Sequence, residues 1–407
     1  MSSSQHASRS SANSLATWRK RVHRALEQGA RTPYFLFSAA PVAAAYQSLG
    51  RLRPGRPVRC WFSAKTQPLE PLWTWWHRQG GGIEVVSERE FEAACLAGFS
   101  TDEILLNGPA KHRWLARHGA RGLRVNFDSP FELKSLLPQA RRERWRVGLR
   151  ICTPEERDPE HPTVPTQFGF SPSEVPSAVR TLRAAGLEPD TVHFHLRTNV
   201  PRAEIYRRAI LSIEEVCAAA RWTPSILDVG GGLPPPDTQD LQGHRFDADM
   251  SLDSYESALR EAVTRMPFLK ELWMEHGRFV CAGSGVLAIQ ILDSKSRSGL
   301  RQLICDGGRT LHALVSTWEQ HGLHPLRPHH GPQIPTAVFG PTCMAFDCLA
   351  RRDLPRSLRP GDMLLWMEAG AYHLPWETRF SHDLAEIWWE DERESTRLVR
   401  RASRNDP

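Results

Sequence analysis

The chain has 407 residues, of which 40% are hydrophobic and 24% charged, with a formal net charge of +6. That balance fits a packed protein of two domains and excludes a disordered chain. The basic excess is arginine interleaved with acid, without a stripe of regularly spaced aromatics, which argues against nucleic acid. No apolar run reaches the roughly 18 residues of a membrane span.

The N-terminus is rich in Ser and Arg, has no acid before Glu27 and lacks an apolar signal-peptide core. That composition also suits an organelle presequence, but residues 1–30 are expected to be a disordered leader running into an amphipathic helix. The segment Thr32–Ser38 (TPYFLFS) reads as a strand, and residues 31–45 are assigned to it as a segment joining a β-domain. From Val58 a rhythm of short β-branched runs and longer helical stretches begins. The runs are Val58–Thr66, Gly82–Ser87, Glu103–Gly108, Gly122–Asp128, Arg146–Cys152, Thr191–Thr198, Ser225–Gly230 and Leu272–Arg278. Such alternation predicts parallel βα units, and eight of them over about 220 residues predict an α/β (β/α)8 barrel at 46–278. The Trp-rich LWTWWH at Leu72–His77 is expected on the buried face of the first barrel helix. After Arg278 short strands punctuated by Gly and Pro predict a C-terminal β-rich barrel or sandwich over 279–407, with a charged, frayed tail after Asp391. The eight cysteines are scattered without zinc spacing, so no metal is expected and a reduced cytoplasm is the expected compartment.

Residues with chemical potential collect at the C-terminal ends of the predicted barrel strands, where barrel enzymes carry their chemistry. Lys65 closes the first strand, and a lysine there can form a Schiff base with an aldehyde cofactor. LDVGGGLP at Leu227–Pro234 ends the seventh strand in three glycines, which let backbone N–H groups approach an anion such as phosphate. EHGR at Glu275–Arg278 ends the eighth; a carboxylate facing a pyridine nitrogen keeps that ring protonated and able to accept electrons. Each feature alone has a plain structural reading: a surface lysine, a tight turn, a surface ion pair.

Taken in order, the motifs resemble those of the pyridoxal-phosphate (PLP) decarboxylases of ornithine, arginine and diaminopimelate, the group IV enzymes of the alanine-racemase-like fold (fold type III). FSAKTQ is similar to the family's YAxKAN, TQFGF to SKFG, HFHLRT to HxHxGS, LDVGGGLP to DIGGGFP and EHGR to EPGR. CDGG, GPTCMAFD, LRPGDML and EAGAY follow in family order. The likeness runs from Thr32 to about Phe380. It implies Lys65 as the covalent cofactor residue and His195 stacked on the ring. It implies Glu275 at the pyridine nitrogen, and Thr198, Gly231, Gly232, Gly277, Arg278 and Tyr372 at the cofactor and its phosphate. Cys343 is implied as an acid near the substrate α-carbon, reaching into a partner's site in a head-to-tail homodimer. Arg309, Met344 and Asp347 are the expected substrate contacts.

The sequence departs from the family at positions that read the substrate. Met344 stands where ornithine-type enzymes carry Asp and diaminopimelate-type enzymes Glu, and methionine cannot pair with a distal ammonium. Leu314 and Val315 stand where an Arg–Pro pair is expected, with Arg309 or His312 as substitutes. Arg197 replaces a glycine and Gln167 a lysine. The expectation is decarboxylation of an unusual amino acid or amino-acid conjugate, as in siderophore or other specialised metabolism. A PLP racemase and a catalytically silent homologue with a regulatory role are the alternatives; a barrel-only PLP carrier is opposed by the GPTC and GAY segments.

Overall fold

A computed structural model describes residues 2–156, 165–311 and 318–402, with side chains from residue 14 onward. Helix α1 (Ser2–Glu27), strand β1 (Tyr34–Ser38) and helix α2 (Ala39–Gly50) open the chain. Strands β2 (Val58–Ser63), β3 (Gly82–Val85), β4 (Ile104–Leu106), β5 (Arg124–Phe127), β6 (Arg146–Arg150), β7 (Thr191–His193) and β8 (Ile226–Asp228) follow. Then come the short β9 (Gln239–Asp240) and β10 (Glu271–Met274). The remainder is β11 (Gly285–Arg297), β12 (Leu300–Cys305), β13 (Glu319–Gln320), β14 (Leu323–Pro325), β15 (Gln333–Phe339), β16 (Cys348–Pro355), β17 (Met363–Trp366), β18 (Glu386–Glu390) and β19 (Thr396–Arg400). Two compact units result: Ala45–Pro234 with Phe246–Phe279, and Met1–Ala44 with Pro235–Arg245 and Val280–Pro407. Among the described residues no helix is long and apolar enough to cross a membrane.

In the first unit β2 to β8 and β10 close a parallel barrel in the order β10-β2-β3-β4-β5-β6-β7-β8. Each of the eight predicted runs holds one of these strands. Their near-continuous apolar character is what a parallel sheet covered by helices on its outer face requires. The helix Glu70–Arg78 buries Trp73, Trp75 and Trp76, and the Trp76 indole N–H donates to the Gly82 carbonyl at 2.8 Å. Inside the barrel Trp61, Leu105, Ile226 and Trp273 form one cluster, with the two indoles 5.0 Å apart. Arg59 lies over Trp61 and Arg124 over Trp273. These bulky rings and arginine stems fill one end of the lumen, leaving the C-terminal ends of the strands for polar groups.

The second unit is built on a nine-stranded sheet whose main path runs β16-β15-β12-β11-β1-β18-β19, with β17 pairing β11 and β14. Strand β1 lies between β11, antiparallel with Tyr34 opposite Ala288, and β18, parallel with Leu36 opposite Trp388. Two sequence expectations are corrected here. The tail after Asp391 is not frayed throughout: Thr396–Arg400 pairs antiparallel with β18, satisfying an edge that would otherwise be open. Residues 235–245, expected inside the barrel domain, belong to the β-rich unit, where Asp240 of β9 pairs with Glu319 of β13. The expected leader contributes to a core: Trp18, Val22 and Ala25 of α1 pack with Tyr34, Leu36, Val286, Ala288, Leu365, Met367 and Trp388. Arg21 and Arg24 bond the buried carboxylate of Glu390 at 2.6 and 2.9 Å. Replacing the buried Trp18 by alanine is therefore expected to destabilise this unit by about 3 kcal/mol, read as a lower urea midpoint. An unchanged midpoint would mean that α1 lies outside the cooperative core.

Candidate active site

Strand β2 ends at Ser63, and a single 3-10 turn, Ala64–Thr66, carries Lys65. The Lys65 Nζ donates to Glu84 Oε2 and to Ser63 Oγ, each at 2.8 Å, and the Ser63 hydroxyl donates to the same carboxylate oxygen at 2.5 Å. Glu84 sits on β3 and is 1% exposed. The lysine and the serine hydroxyl thus both bond this buried carboxylate, with Lys65 as its ion-pair partner. Gly277 admits no side chain, because a Cβ would lie 2.2 Å from Thr66 Oγ1; the end of the EHGR segment thus rests on the lysine turn.

Glu275, immediately after β10, is also buried. Its Oε1 accepts from Asn107 Nδ2 at 2.5 Å, and Asn126 Nδ2 donates to Asn107 Oδ1 at 3.0 Å. His193 Nε2 lies 3.7 Å from Oε1, and His195 Nδ1 lies 3.4 Å from Oε2. Burial pushes the Glu275 carboxyl up. His195 and the Lys65 charge oppose it, leaving Glu275 below the ordinary carboxylate range. Asp228, fully buried at the end of β8, is driven well above its ordinary value, by burial first and by the charge of Glu275 second. Of these two carboxyls Glu275 is the anion. Burial brings His193 down to about 3 and His276 to about 3, so both rings are neutral near pH 7. The donor atoms of His193, His195 and Glu275 lie within 4.8 Å of one another, close enough to gather a metal ion, but the anion cradle and lysine of the same unit suit an organic phosphate aldehyde better.

The cradle is the turn after β8. Gly230 and Gly232 have φ of +64° and +112°, and a Cβ at any of Gly230, Gly231 or Gly232 would come within 2.9 Å of backbone oxygen. The Gly231 and Gly232 carbonyls are held by the Tyr206 hydroxyl and the Val200 N–H, each at 2.8 Å. Arg278 Nε donates to Thr198 Oγ1 at 2.9 Å. A loop cleared of side chains, with a hydroxyl and a guanidinium in the same unit, has the composition of a phosphate site. The structure thus gathers Lys65, His195, Thr198, Gly231, Gly232, Glu275, Gly277 and Arg278 in the barrel unit. The TQFGF loop is held to β6 by the Ile151–Phe170 bridge, with Arg150 over Phe168.

The remaining expected residues lie in the β-rich unit. Cys343 is an exposed thiol, and Met344 N–H donates to Thr342 Oγ1 at 3.3 Å. Tyr372 has φ +61° and stacks on Trp376. Arg309 lines a cleft of about 480 Å³ with Glu319, Phe339, Phe346, Arg352 and Trp366. Asp347 is 1% exposed; its Oδ1 accepts the Arg309 N–H at 2.6 Å, and its Oδ2 accepts the Thr342 hydroxyl at 2.6 Å. Gly308 and Gly340 leave room for this carboxylate, which ties the CDGG turn to the GPTC loop. His312, Leu314 and Val315 lie outside the described residues.

The family described as pyridoxal-dependent decarboxylase, pyridoxal binding domain, matches residues 42–282. The diaminopimelate decarboxylase of Deinococcus radiodurans is 30% identical over 84% of this chain and 85% of its own length. The chain belongs to the pyridoxal-dependent decarboxylases. It is by family a PLP-dependent carboxy-lyase acting in amino-acid metabolism. A lysine/ornithine decarboxylase of Selenomonas ruminantium is 25% identical over 86% of this decarboxylase and 87% of that protein. The crystal structure of Helicobacter pylori diaminopimelate decarboxylase complexed with L-lysine shares the fold with a TM-score of 0.81. It covers 94% of this chain and 97% of that one at 22% identity.

Reading the sequence missed Glu84, Ser63, Asn107 and Asn126 of the decarboxylase. A signal existed: Glu84 is the lone acid in GIEVV and Asn126 the lone amide in LRVNF, each inside an apolar strand. Asn107 passed for a turn residue because Gly108 follows it. The neutral histidines give the protein an acid sensitivity. Unfolded, His193 and His276 titrate near 6.5; folded, near 3. Below pH 6.5 the unfolded chain binds protons that the native state refuses, so stability present above that pH is lost as pH falls toward 3. The loss should reach about 2 kcal/mol per histidine by pH 5. Urea unfolding at pH 7.5 and pH 5 should show a smaller acid loss for His193→Asn than for wild type; equal losses would contradict the assignment.

Proposed function

We propose that this decarboxylase binds PLP at the barrel mouth and removes the α-carboxylate of an amino acid or amino-acid conjugate in specialised metabolism, such as siderophore assembly. What supports this most is one arrangement: an amine fixed by two partners, a buried anion and a side-chain-free loop at the C-terminal ends of parallel strands. Lys65 would hold the cofactor aldehyde, and Thr198, Gly231, Gly232 and Arg278 its phosphate, with Tyr372 completing the set. His195 would lie against the ring and Glu275 would keep a proton on the ring nitrogen. The cofactor, when bound, supplies a ring that accepts the electron pair left by departing CO2.

The protein's part is orientation and proton handling. Glu84 accepts the hydrogen bond of Lys65 Nζ and would keep the amine at the mouth. The exposed Cys343 thiol is the candidate to return a proton to the α-carbon. In this reading it serves a partner's site, in a homodimer with composite sites. We take the cytoplasm as the compartment, in keeping with eight free thiols. Met344 offers no charge to a distal ammonium, which favours substrates whose far end is masked or conjugated. A racemase is disfavoured because an ionised Glu275 serves a full electron sink, which racemisation does not need.

The test is CO2 release by the purified protein with added PLP, over ornithine, lysine, arginine, diaminopimelate, glutamate and conjugates of diaminopropionate. One conjugate should exceed the free diamino acids at least tenfold in kcat/KM, and Lys65→Ala should abolish release. Equal turnover of ornithine or diaminopimelate would overturn the specialised assignment. No release from any substrate, with wild type and Lys65→Ala alike in failing to bind PLP, would overturn the enzyme reading.

A further inference from the structure

Two amides buried in the barrel unit have no place in the mechanism above: Asn107, 3% exposed at the end of β4, and Asn126, 2% exposed on β5. Burying an amide among apolar neighbours is unfavourable unless its hydrogen bonds are made, and an apolar residue would fill either position more cheaply. Both are bonded in a single line that ends on Glu275, by the 3.0 Å and 2.5 Å contacts already given. Strand β4 stands three places round the barrel from β10, so the line crosses the lumen instead of following neighbouring strands.

The direction of this line is fixed by chemistry. An ionised carboxylate only accepts, so Asn107 must turn its NH2 toward Glu275 and its oxygen away. That oxygen needs a donor, and Asn126 supplies its own NH2. Asn126 in turn is seated against β6 at Gly148, where a Cβ would lie 2.1 Å from Asn126 Oδ1. Room for one amide thus sets the orientation of the next, and the last one engages Glu275 Oε1 alone. Oε2 is left on the side of His195.

We infer that Asn107, oriented by Asn126, is a positioning residue that fixes the rotamer and the ionised form of Glu275, reserving Oε2 for the ring nitrogen of the cofactor. The inference rests on the assignment of PLP to this mouth. A charge-assisted hydrogen bond of this kind is among the stronger single contacts a buried carboxylate can have. Asn107→Asp keeps the shape and removes the donor. It would also place two carboxyls in contact that cannot both ionise, so one proton would be shared where Glu275 had been an anion.

The experiment is a titration of the purified apoprotein with PLP, followed by protein fluorescence and by the visible absorption band of the bound cofactor. Circular dichroism and thermal unfolding are recorded in parallel. Asn107→Asp should raise the PLP dissociation constant about tenfold or more and displace the visible band, while its circular dichroism remains that of wild type. Asn126→Asp, which alters the orienting amide and leaves Asn107 in place, should act in the same direction by about threefold; it carries the test if Asn107→Asp fails to fold. Folded variants that bind PLP within twofold of wild type and show its band would overturn the inference and leave the cofactor assignment standing. Wild type that takes up no PLP would overturn the cofactor assignment and the inference with it.

Discussion

An ionised carboxylate inside a protein loses the hydration that would stabilise it in water, so its neighbours have to replace that hydration. Glu275 meets this condition with a nearly inaccessible side chain, one amide donor on Oε1 and two imidazoles within 4 Å. The rest of the mouth is organised around keeping that charge. Asp228 on the adjoining strand stays protonated so that it does not compete, and His193 stays neutral because burial disfavours its cation. Glu84 forms a second, separate anion, neutralised by Lys65 and bonded by Ser63.

The barrel makes this arrangement possible because parallel strands end together. Strands closing the barrel bring polar positions such as Glu84, Asn107 and Glu275 to a common rim, while bulky rings such as Trp61 and Trp273 fill the interior at the other end. The turn after β8 then needs no side chains, because Tyr206 and Val200 hold its carbonyls and the surrounding backbone leaves no space for a Cβ. In the β-rich unit the same economy recurs. Gly308 and Gly340 yield their side-chain space to Asp347, whose oxygens bond the backbone and hydroxyl of two loops.

Much of this was legible beforehand. The barrel strands announced themselves because a strand covered on both faces has to be apolar throughout. The glycine turn and EHGR stood at strand ends where a barrel exposes its chemistry. Lys65 and His195 could be placed by the order of motifs. Nothing in GPTCMAFD reveals that Asp347 accepts from the Arg309 N–H and the Thr342 hydroxyl, because both bonds depend on how two loops meet. The tail misled because a charged stretch reads as solvated, whereas Thr396–Arg400 pairs its backbone with β18 and turns alternate side chains into water. The expected disorder ahead of the N-terminal helix is not found, since α1 begins at Ser2; that its Trp18 face belongs to a core depended largely on partners more than 200 residues away.

The sequence by itself determined the periodicities, and through them the barrel, the β-rich partner and the chain positions able to carry an amine, an anion and a phosphate loop. These follow from local rules, since apolar spacing and glycine placement act over a few residues. Only the tertiary structure decided which polar groups share a charge. Asn107 faces Glu275 from across the lumen, Glu84 joins Lys65 and Ser63 from the neighbouring strand, and Asp228 yields its ionisation to Glu275. Electrostatic energies depend on distance and burial, and neither is set until strands far apart in the chain have closed into one ring.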